Sequence, residues 1–329
     1  MRRRLKGCLF VTLVALTVVC ALAWALITQP LFLGGGVDRG VVPPPVDPDR
    51  LRAHVRTLSE DFFPRDITHP ENLDAAAGWI TDELLLAGGR VHDQIYTVEG
   101  RDYRNVIARF GPADGERIVV GAHYDAFEEM PGADDNASAV AGLLELARLV
   151  GRERWPLTVE LVAYSLEEPP KFRTPDMGSA RHARGLRETG TEVRLMICLE
   201  MIGYFTDAPS SQSYPVSALK LIYPERGDFI AVIGKLGQGG VTRRVKSAMA
   251  AASPLPVVSM NAPASLPGVD FSDHLNYWAA GYDAVMITDT AFYRNPHYHE
   301  PTDTWGTLDY ARMADVVRGV YAALRACTR

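Results

Sequence analysis

The chain has 329 residues, of which 47% are hydrophobic and 22% charged, with a formal net charge of −6. This length and apolar content allow a sizeable core and exclude a disordered or disulfide-built chain. The acidic excess excludes non-specific nucleic-acid binding, which needs a basic surface to displace counterions. The four cysteines, Cys8, Cys20, Cys198 and Cys327, include no CxxC pair, so any metal must be held by oxygen and nitrogen.

At the N-terminus Arg2, Arg3, Arg4 and Lys6 precede an uncharged apolar run from Leu9 to Ile27. Such a run is close to the ~20 residues that cross a bilayer. The basic cluster places the N-terminus in the cytoplasm and sends the chain beyond the run to the other side. A cleaved signal peptide is the rival reading, with Ala21-Leu22-Ala23 or Ala23-Trp24-Ala25 as its processing site. Both sites lie inside the run, which continues through Ile27, so an uncleaved membrane anchor over residues 1–30 is the preferred expectation. In either case the rest of the chain leaves the cytoplasm. Gly34-Gly35-Gly36 and Pro43-Pro44-Pro45 then mark a spacer over 31–47, flexible first and stiff afterwards. The folded domain is expected over 48–329.

Within it, helical spacing of apolar residues covers 50–58 and 73–87, the second stopped by Gly88-Gly89. A short strand at 118–120 is followed by an amphipathic helix over 137–150, capped by Asn136. Strands are expected at 157–165, 194–201, 229–233 and 284–288, and helices at 239–252 and 309–325. Alternation of this kind predicts an α/β fold: a mixed, mostly parallel central sheet with helices on both faces. In such sheets the site lies beyond the carboxyl ends of the strands.

Those ends carry acids and histidines. The first strand runs into His123-Tyr124-Asp125, the next loop is Pro131-Gly132-Ala133-Asp134-Asp135-Asn136, and later strands lead to Glu167-Glu168 and to Glu200. Ser272-Asp273-His274 and His297-Tyr298-His299 come later, towards the C-terminus. Taken singly, His123 reads as a core histidine and the Asp pair as turn residues. Glu200, between Cys198-Leu199 and Met201-Ile202, is harder to dismiss, because burying a lone carboxylate is costly without a cation. Hard carboxylates with a few imidazoles suit zinc, manganese or cobalt.

In GAHYDA (121–126), PGADDNASA (131–139), SLEE (165–168), LEMIGY (199–204), FSDH (271–274) and HYHEPTDT (297–304), the chain resembles the co-catalytic zinc aminopeptidases. That group includes bacterial leucyl-type aminopeptidases, aminopeptidase Y and glutamate carboxypeptidase. The resemblance implies a phosphorylase/hydrolase-like zinc exopeptidase fold and two Zn²⁺ per chain, replaceable by Mn²⁺ or Co²⁺. It assigns His123 and Glu200 to one metal, Glu168 and His299 to the other, and Asp135 to both. Glu167 becomes the general base, and Asp125 the group that hydrogen-bonds His123. His297 competes with His299 on sequence alone; the spacing to Asp303 in the family favours His299. Two metals bridged by Asp135 and a water would make hydroxide available near neutral pH for hydrolysis of the N-terminal peptide bond.

The chain departs from the resemblance in two places. Glu200 stands where relatives often have Asp. Pro169 to Met177 replaces a short glycine-containing loop and is expected to form a wall of the substrate pocket. Asp273 and His274 are expected near the site, as supporting or substrate contacts. Three alternatives share this scaffold: a one-zinc glutaminyl cyclase, a carboxypeptidase and a non-catalytic receptor-like ectodomain. The expected partners are peptide substrates and, through the N-terminal segment, a membrane.

Overall fold

The computed structural model describes residues 2–30 and 42–328, with the side chains of residues 2–11 outside the description. Most of the expected spacer, residues 31–41, also lies outside it. Helix α1 spans Arg2–Thr28. Among the described residues, no helix is long and apolar enough to cross a membrane, so the expected membrane-crossing helix is not found there. The first residues of the apolar run that suggested it, Leu9 to Val11, have side chains outside the description. The far end of α1 docks onto the folded domain. The Thr28 carbonyl accepts from Lys246 Nζ at 2.9 Å and from Ser259 Oγ at 2.7 Å. Helix α2, Pro48–Arg56, starts with proline at its first turn and with the Asp47 side chain accepting from the Asp49 amide. Helix α3 spans Pro70–Leu86.

Eight strands come next, interleaved with five more helices. These are β1 (Arg90–Val98), β2 (Arg101–Phe110), β3 (Arg117–His123), α4 (Ala139–Val150), β4 (Thr158–Tyr164), α5 (Gly178–Glu188) and β5 (Val193–Glu200). They continue as β6 (Ile230–Lys235), α6 (Gly239–Ala252), β7 (Val257–Ala262), α7 (His274–Ala279), β8 (Ala284–Thr288) and α8 (Tyr310–Cys327). The sheet order is β1-β2-β4-β3-β5-β8-β6-β7. Strands β4, β3, β5 and β8 run parallel, as do β6 and β7, while β1–β2, β2–β4 and β6–β8 pair antiparallel.

The sheet is therefore mixed and mostly parallel, and helices cover both faces. On β3, Ile118, Val120 and Ala122 join a large core with Val140, Leu143 and Val317 from α4 and α8. Val119 turns the other way and meets a smaller core with Tyr277 of α7 and Leu186 of α5. Burial on both faces explains why β3 and β4 read as continuous apolar runs without alternation. The β1–β2 hairpin was not expected from the sequence. Its two-residue turn, Glu99-Gly100, holds both residues at positive φ, as a type I′ turn requires, and glutamate is a weak signal for that geometry.

Candidate active site

Strand β3 ends on His123 and strand β5 on Glu200, and the loop after β4 carries Glu167 and Glu168. These strands are neighbours and parallel, so their carboxyl ends deliver the three segments to one rim of the sheet. The 131–135 loop folds back over that rim. Gly132 sits at φ 56°, and a Cβ there would lie 2.3 Å from the Asp135 carbonyl and 2.7 Å from the Ala126 methyl. Only glycine permits this turn.

The turn places Asp135 between two histidines. Its Oδ1 is 3.4 Å from His123 Nε2, and its Oδ2 is 3.1 Å from His299 Nε2. Glu200 Oε2 stands 3.5 Å from His123 Nε2, and Glu168 Oε2 stands 3.4 Å from His299 Nε2. Glu167 Oε2 lies 3.9 Å from His123 Nε2. The donors His123, Asp135 and Glu200 can converge on one point, and Asp135, Glu168 and His299 on a second. His299 is sandwiched between the rings of Phe127 and Tyr298, with centroids 3.9 and 3.8 Å away. His297 turns out of the cluster, with Nδ1 2.8 Å from Thr302 Oγ1. Of the two histidines, only His299 stands among the clustered donors.

His123 Nδ1 lies 3.1 Å from the main-chain carbonyl of Asp125 and 3.4 Å from its carboxylate Oδ1. The ring is thus held by Asp125 chiefly through the backbone, a refinement of the expected side-chain contact. The other carboxylate oxygen, Oδ2, accepts the Glu168 amide at 3.0 Å. With Nδ1 donating to a carbonyl, Nε2 is the nitrogen that would be offered to a metal ion.

Electrostatics make this an acid-rich, nearly dry site. Burial pushes Glu167 and Glu200 up from the ordinary carboxylate range, and it raises Glu168 to about 8 with help from Asp135. For Asp135 the same burial is outweighed by the close imidazoles of His123 and His299, and its pKa falls. For His299, burial is outweighed by Asp135 and Glu168, and its pKa rises to about 10. Asp135 Oδ1, Glu168 Oε1 and His299 Nε2 are buried without a hydrogen-bond partner. Unpartnered ligand atoms facing one another at these separations match what divalent cations require, so the residues fit bound metal.

Several further residues support the cluster, and of these only Arg65 went unremarked in the sequence. The Asp303 carboxylate accepts the Asp134 amide at 2.9 Å and the Asp135 amide at 3.1 Å. Ser272 Oγ donates to Glu200 Oε2 at 2.5 Å, and Asn136 Nδ2 reaches the same oxygen at 3.3 Å. Arg65, wholly buried, donates Nε to the Tyr124 carbonyl at 3.0 Å, Nη1 to Pro131 at 3.0 Å and to Leu58, and Nη2 to Gly132 at 2.9 Å. It rivets the Asp135 loop to the end of β3. Asp273 is buried behind His123 and Glu200, and burial raises it to about 7. His274 is fully buried, bonds the Val269 carbonyl at 2.8 Å and is lowered to about 4 by burial.

The model of peptidase family M28 matches residues 105–324, which contain all seven proposed site residues. The chain belongs to peptidase family M28. An uncharacterized protein of Escherichia coli (strain K12), YfbL, is 48% identical over 290 residues, covering 86% of this chain and 89% of its own length. Leucine aminopeptidase 1 of Trichophyton rubrum is 23% identical over 295 residues, covering 80% of this chain and 73% of its own. A glutaminyl cyclase from Bacteroides thetaiotaomicron, solved with N-acetylhistamine, shares the fold at a TM-score of 0.65 and 20% identity, covering 86% of this chain and 98% of its own. Membership of the M28 family supports a metallopeptidase, and the family implies zinc.

Proposed function

We propose that this chain is an aminopeptidase that releases the N-terminal residue of peptides with a free α-amine, using two zinc ions. The observation that carries this reading is Asp135, whose two carboxylate oxygens face different histidines, His123 and His299. His123 and Glu200 would hold one ion, His299 and Glu168 the second, and Asp135 both. When bound, the ions supply a water acidified towards a pKa of ~7 and a polarised scissile carbonyl. Glu167, whose buried carboxyl has a raised proton affinity, takes the proton of the attacking water and returns it to the departing amine. Asp125 fixes the His123 tautomer and steadies the Glu168 backbone.

Attack at the N-terminal end is also supported by what is missing from the cavity beside the cluster. Among the described residues that line it there is no arginine or lysine to receive a substrate's terminal carboxylate, as a carboxypeptidase needs. The likeness to a glutaminyl cyclase fold keeps one alternative open to the same assay. Aminoacyl-anilides are compared with their N-acetylated forms, with and without chelator, alongside a glutaminyl peptide monitored for pyroglutamate. Chelator-sensitive cleavage of free-amine substrates alone is expected. Equal cleavage of blocked substrates refutes the proposal, and cyclisation with about one metal per chain favours the cyclase.

The basic and apolar N-terminal segment further supports export of the catalytic domain, with that segment holding it at a membrane. Fractionation tests this: recovery of full-length chain in the cytosol overturns it.

A further inference from the structure

Charge is unevenly shared along the chain. Its formal net charge is −6, yet the stretch from Phe229 to Val269 holds no Asp or Glu and carries Lys235, Arg243, Arg244 and Lys246. That stretch builds β6, α6 and β7, which form one edge of the sheet with β7 outermost. Apolar groups stand exposed at the same edge. A short 3₁₀ turn over Ser217–Leu221 leaves Leu221 87%, Val216 47% and Ile222 40% exposed. From Val216 to Ile222 the one charged residue is Lys220.

This turn and the N-terminal helix meet on β7. Tyr223, next in sequence after the turn's apolar tip, donates its hydroxyl to the Ser259 carbonyl at 2.8 Å. The Ser259 hydroxyl in turn donates to the Thr28 carbonyl, at the end of α1, at 2.7 Å. Lys246 ties down the same carbonyl at 2.9 Å, and Arg243 holds Gln29 Oε1 at 2.9 Å. Gly239 leaves room for this seat, since a Cβ there would lie 2.9 Å from Gln29 Nε2. Beyond the seat, α1 keeps Leu13, Val14, Leu16, Val19 and Leu22 exposed, and their positions go right round the helix. A helix apolar on every side is stable where its surroundings are apolar too. The tip of the turn, apolar around a single lysine, suits the boundary between lipid headgroups and acyl chains.

We propose that the β7 edge, led by Val216, Leu221 and Ile222 and assisted by Lys220 and Arg244, docks on an anionic lipid bilayer as a second contact beside the N-terminal segment. The assignment rests on the membrane reading of that segment and deepens it: one attachment tethers the domain, and two fix how it is turned. Apolar exposure alone does not single out this edge. Leu86 on α3 is 82% exposed, but α3 carries Glu71, Asp74, Asp82 and Glu83 with no Lys or Arg. That helix packs on β1 and β2, at the opposite edge of the sheet. An anionic surface repels α3 and attracts the basic β7 edge.

A nitroxide label on the full chain tests it. Cys8→Ser and Cys20→Ser leave the buried Cys198 and Cys327, and the label is attached at Leu221→Cys or, as the control, at Leu86→Cys. The vesicles are phosphatidylcholine alone, or phosphatidylcholine mixed with phosphatidylglycerol. Flotation reads attachment, and collision with a water-soluble nickel chelate against oxygen reads depth. From neutral to anionic vesicles, nickel access at position 221 is expected to fall at least about fivefold, the scale set by one basic group at such a surface. Position 86 is expected to stay open to nickel on both. Lys220→Glu with Arg244→Glu should return position 221 to its value on neutral vesicles, with flotation kept. Flotation with equal nickel access at the two positions overturns the second contact and leaves the anchor standing. A chain that does not float overturns both, and an undiminished effect in the charge-reversed variant overturns the role given to the basic residues.

Discussion

Replacing Arg65 by methionine removes four hydrogen bonds that hold the Asp135 loop, and the structure sets the size of the effect. Burial lowers the pKa of this guanidinium from 12.5 to about 10, against the pull of Asp303, Asp125 and Asp135. That shift corresponds to roughly 3 kcal/mol of desolvation recovered when the charge is deleted. Against it stand the carbonyls of Leu58, Tyr124, Pro131 and Gly132, stranded in a dry site at about 1–3 kcal/mol each. The balance is a loss of about 4 kcal/mol, a large share of the ~5–15 kcal/mol that holds a domain together. At about 2 °C per kcal/mol for a chain of this size, thermal melting of Arg65→Met should fall by roughly 8 °C. Metal content by atomic emission should fall with it, because the loop carries the shared carboxylate. Arg65→Lys should recover little, since one ammonium cannot span four diverging carbonyls. A melting temperature within about 2 °C of the parent, with metal content unchanged, refutes the reasoning.

Other outcomes stem from the same site and core. Glu167→Gln should keep the metal and lose about 10²–10⁴-fold in kcat, the usual contribution of a general base; most of the activity surviving would remove Glu167 from that role. Without cations, Glu168 at about 8 and His299 at about 10 both hold a proton at neutral pH. Zinc must displace those protons, so its apparent affinity should rise at least about tenfold per pH unit from about 6 to 8, read by competition with a fluorescent chelator; a flat profile contradicts it. In the core, burial of Glu160 is outweighed by His182, Arg117 and Arg109, which hold its pKa at about 2. A depressed carboxyl stabilises the fold above its unfolded value of ~4.3 and loses that contribution, roughly 3 kcal/mol, as pH falls towards about 2. Urea unfolding at pH 6 and pH 3 should show the loss, and Glu160→Gln should shrink the difference between the two.

The acids and histidines that gather at the rim of the sheet were legible in the sequence, and much of what positions them was not. His123 and Glu200 end apolar strands, and a carboxylate or imidazole following a buried run has few other reasons to be there. The central parallel strands β3, β4, β5 and β8 were legible for the same cause, since they are buried on both faces, whereas β7, half-exposed at the sheet edge, was not expected. Arg65 was not legible, because its partners at Tyr124, Pro131 and Gly132 lie 59 to 67 residues away and only the folded loop makes its guanidinium a rivet. Ser272 and Asp303 act across 72 and 169 residues of sequence, distances at which no local pattern reports a partner. The edge hairpin failed for a local reason: Glu99-Gly100 is an uncommon turn pair, and β1 is half-exposed with no clean alternation. The loop from Pro169 contributes no residue to the cavity beside the donors, but its Phe172 packs against Phe271, which does.

Ser259 has obligations in two directions: its hydroxyl binds the end of the N-terminal helix at Thr28, and its carbonyl receives Tyr223 in the cavity wall. Proteolytic maturation that removed Thr28 and Gln29 would strip Lys246 and Ser259 of the carbonyls they hold and free an outermost strand. Loss of that helix end would therefore be felt at the cavity wall to which Tyr223 and Ser259 belong.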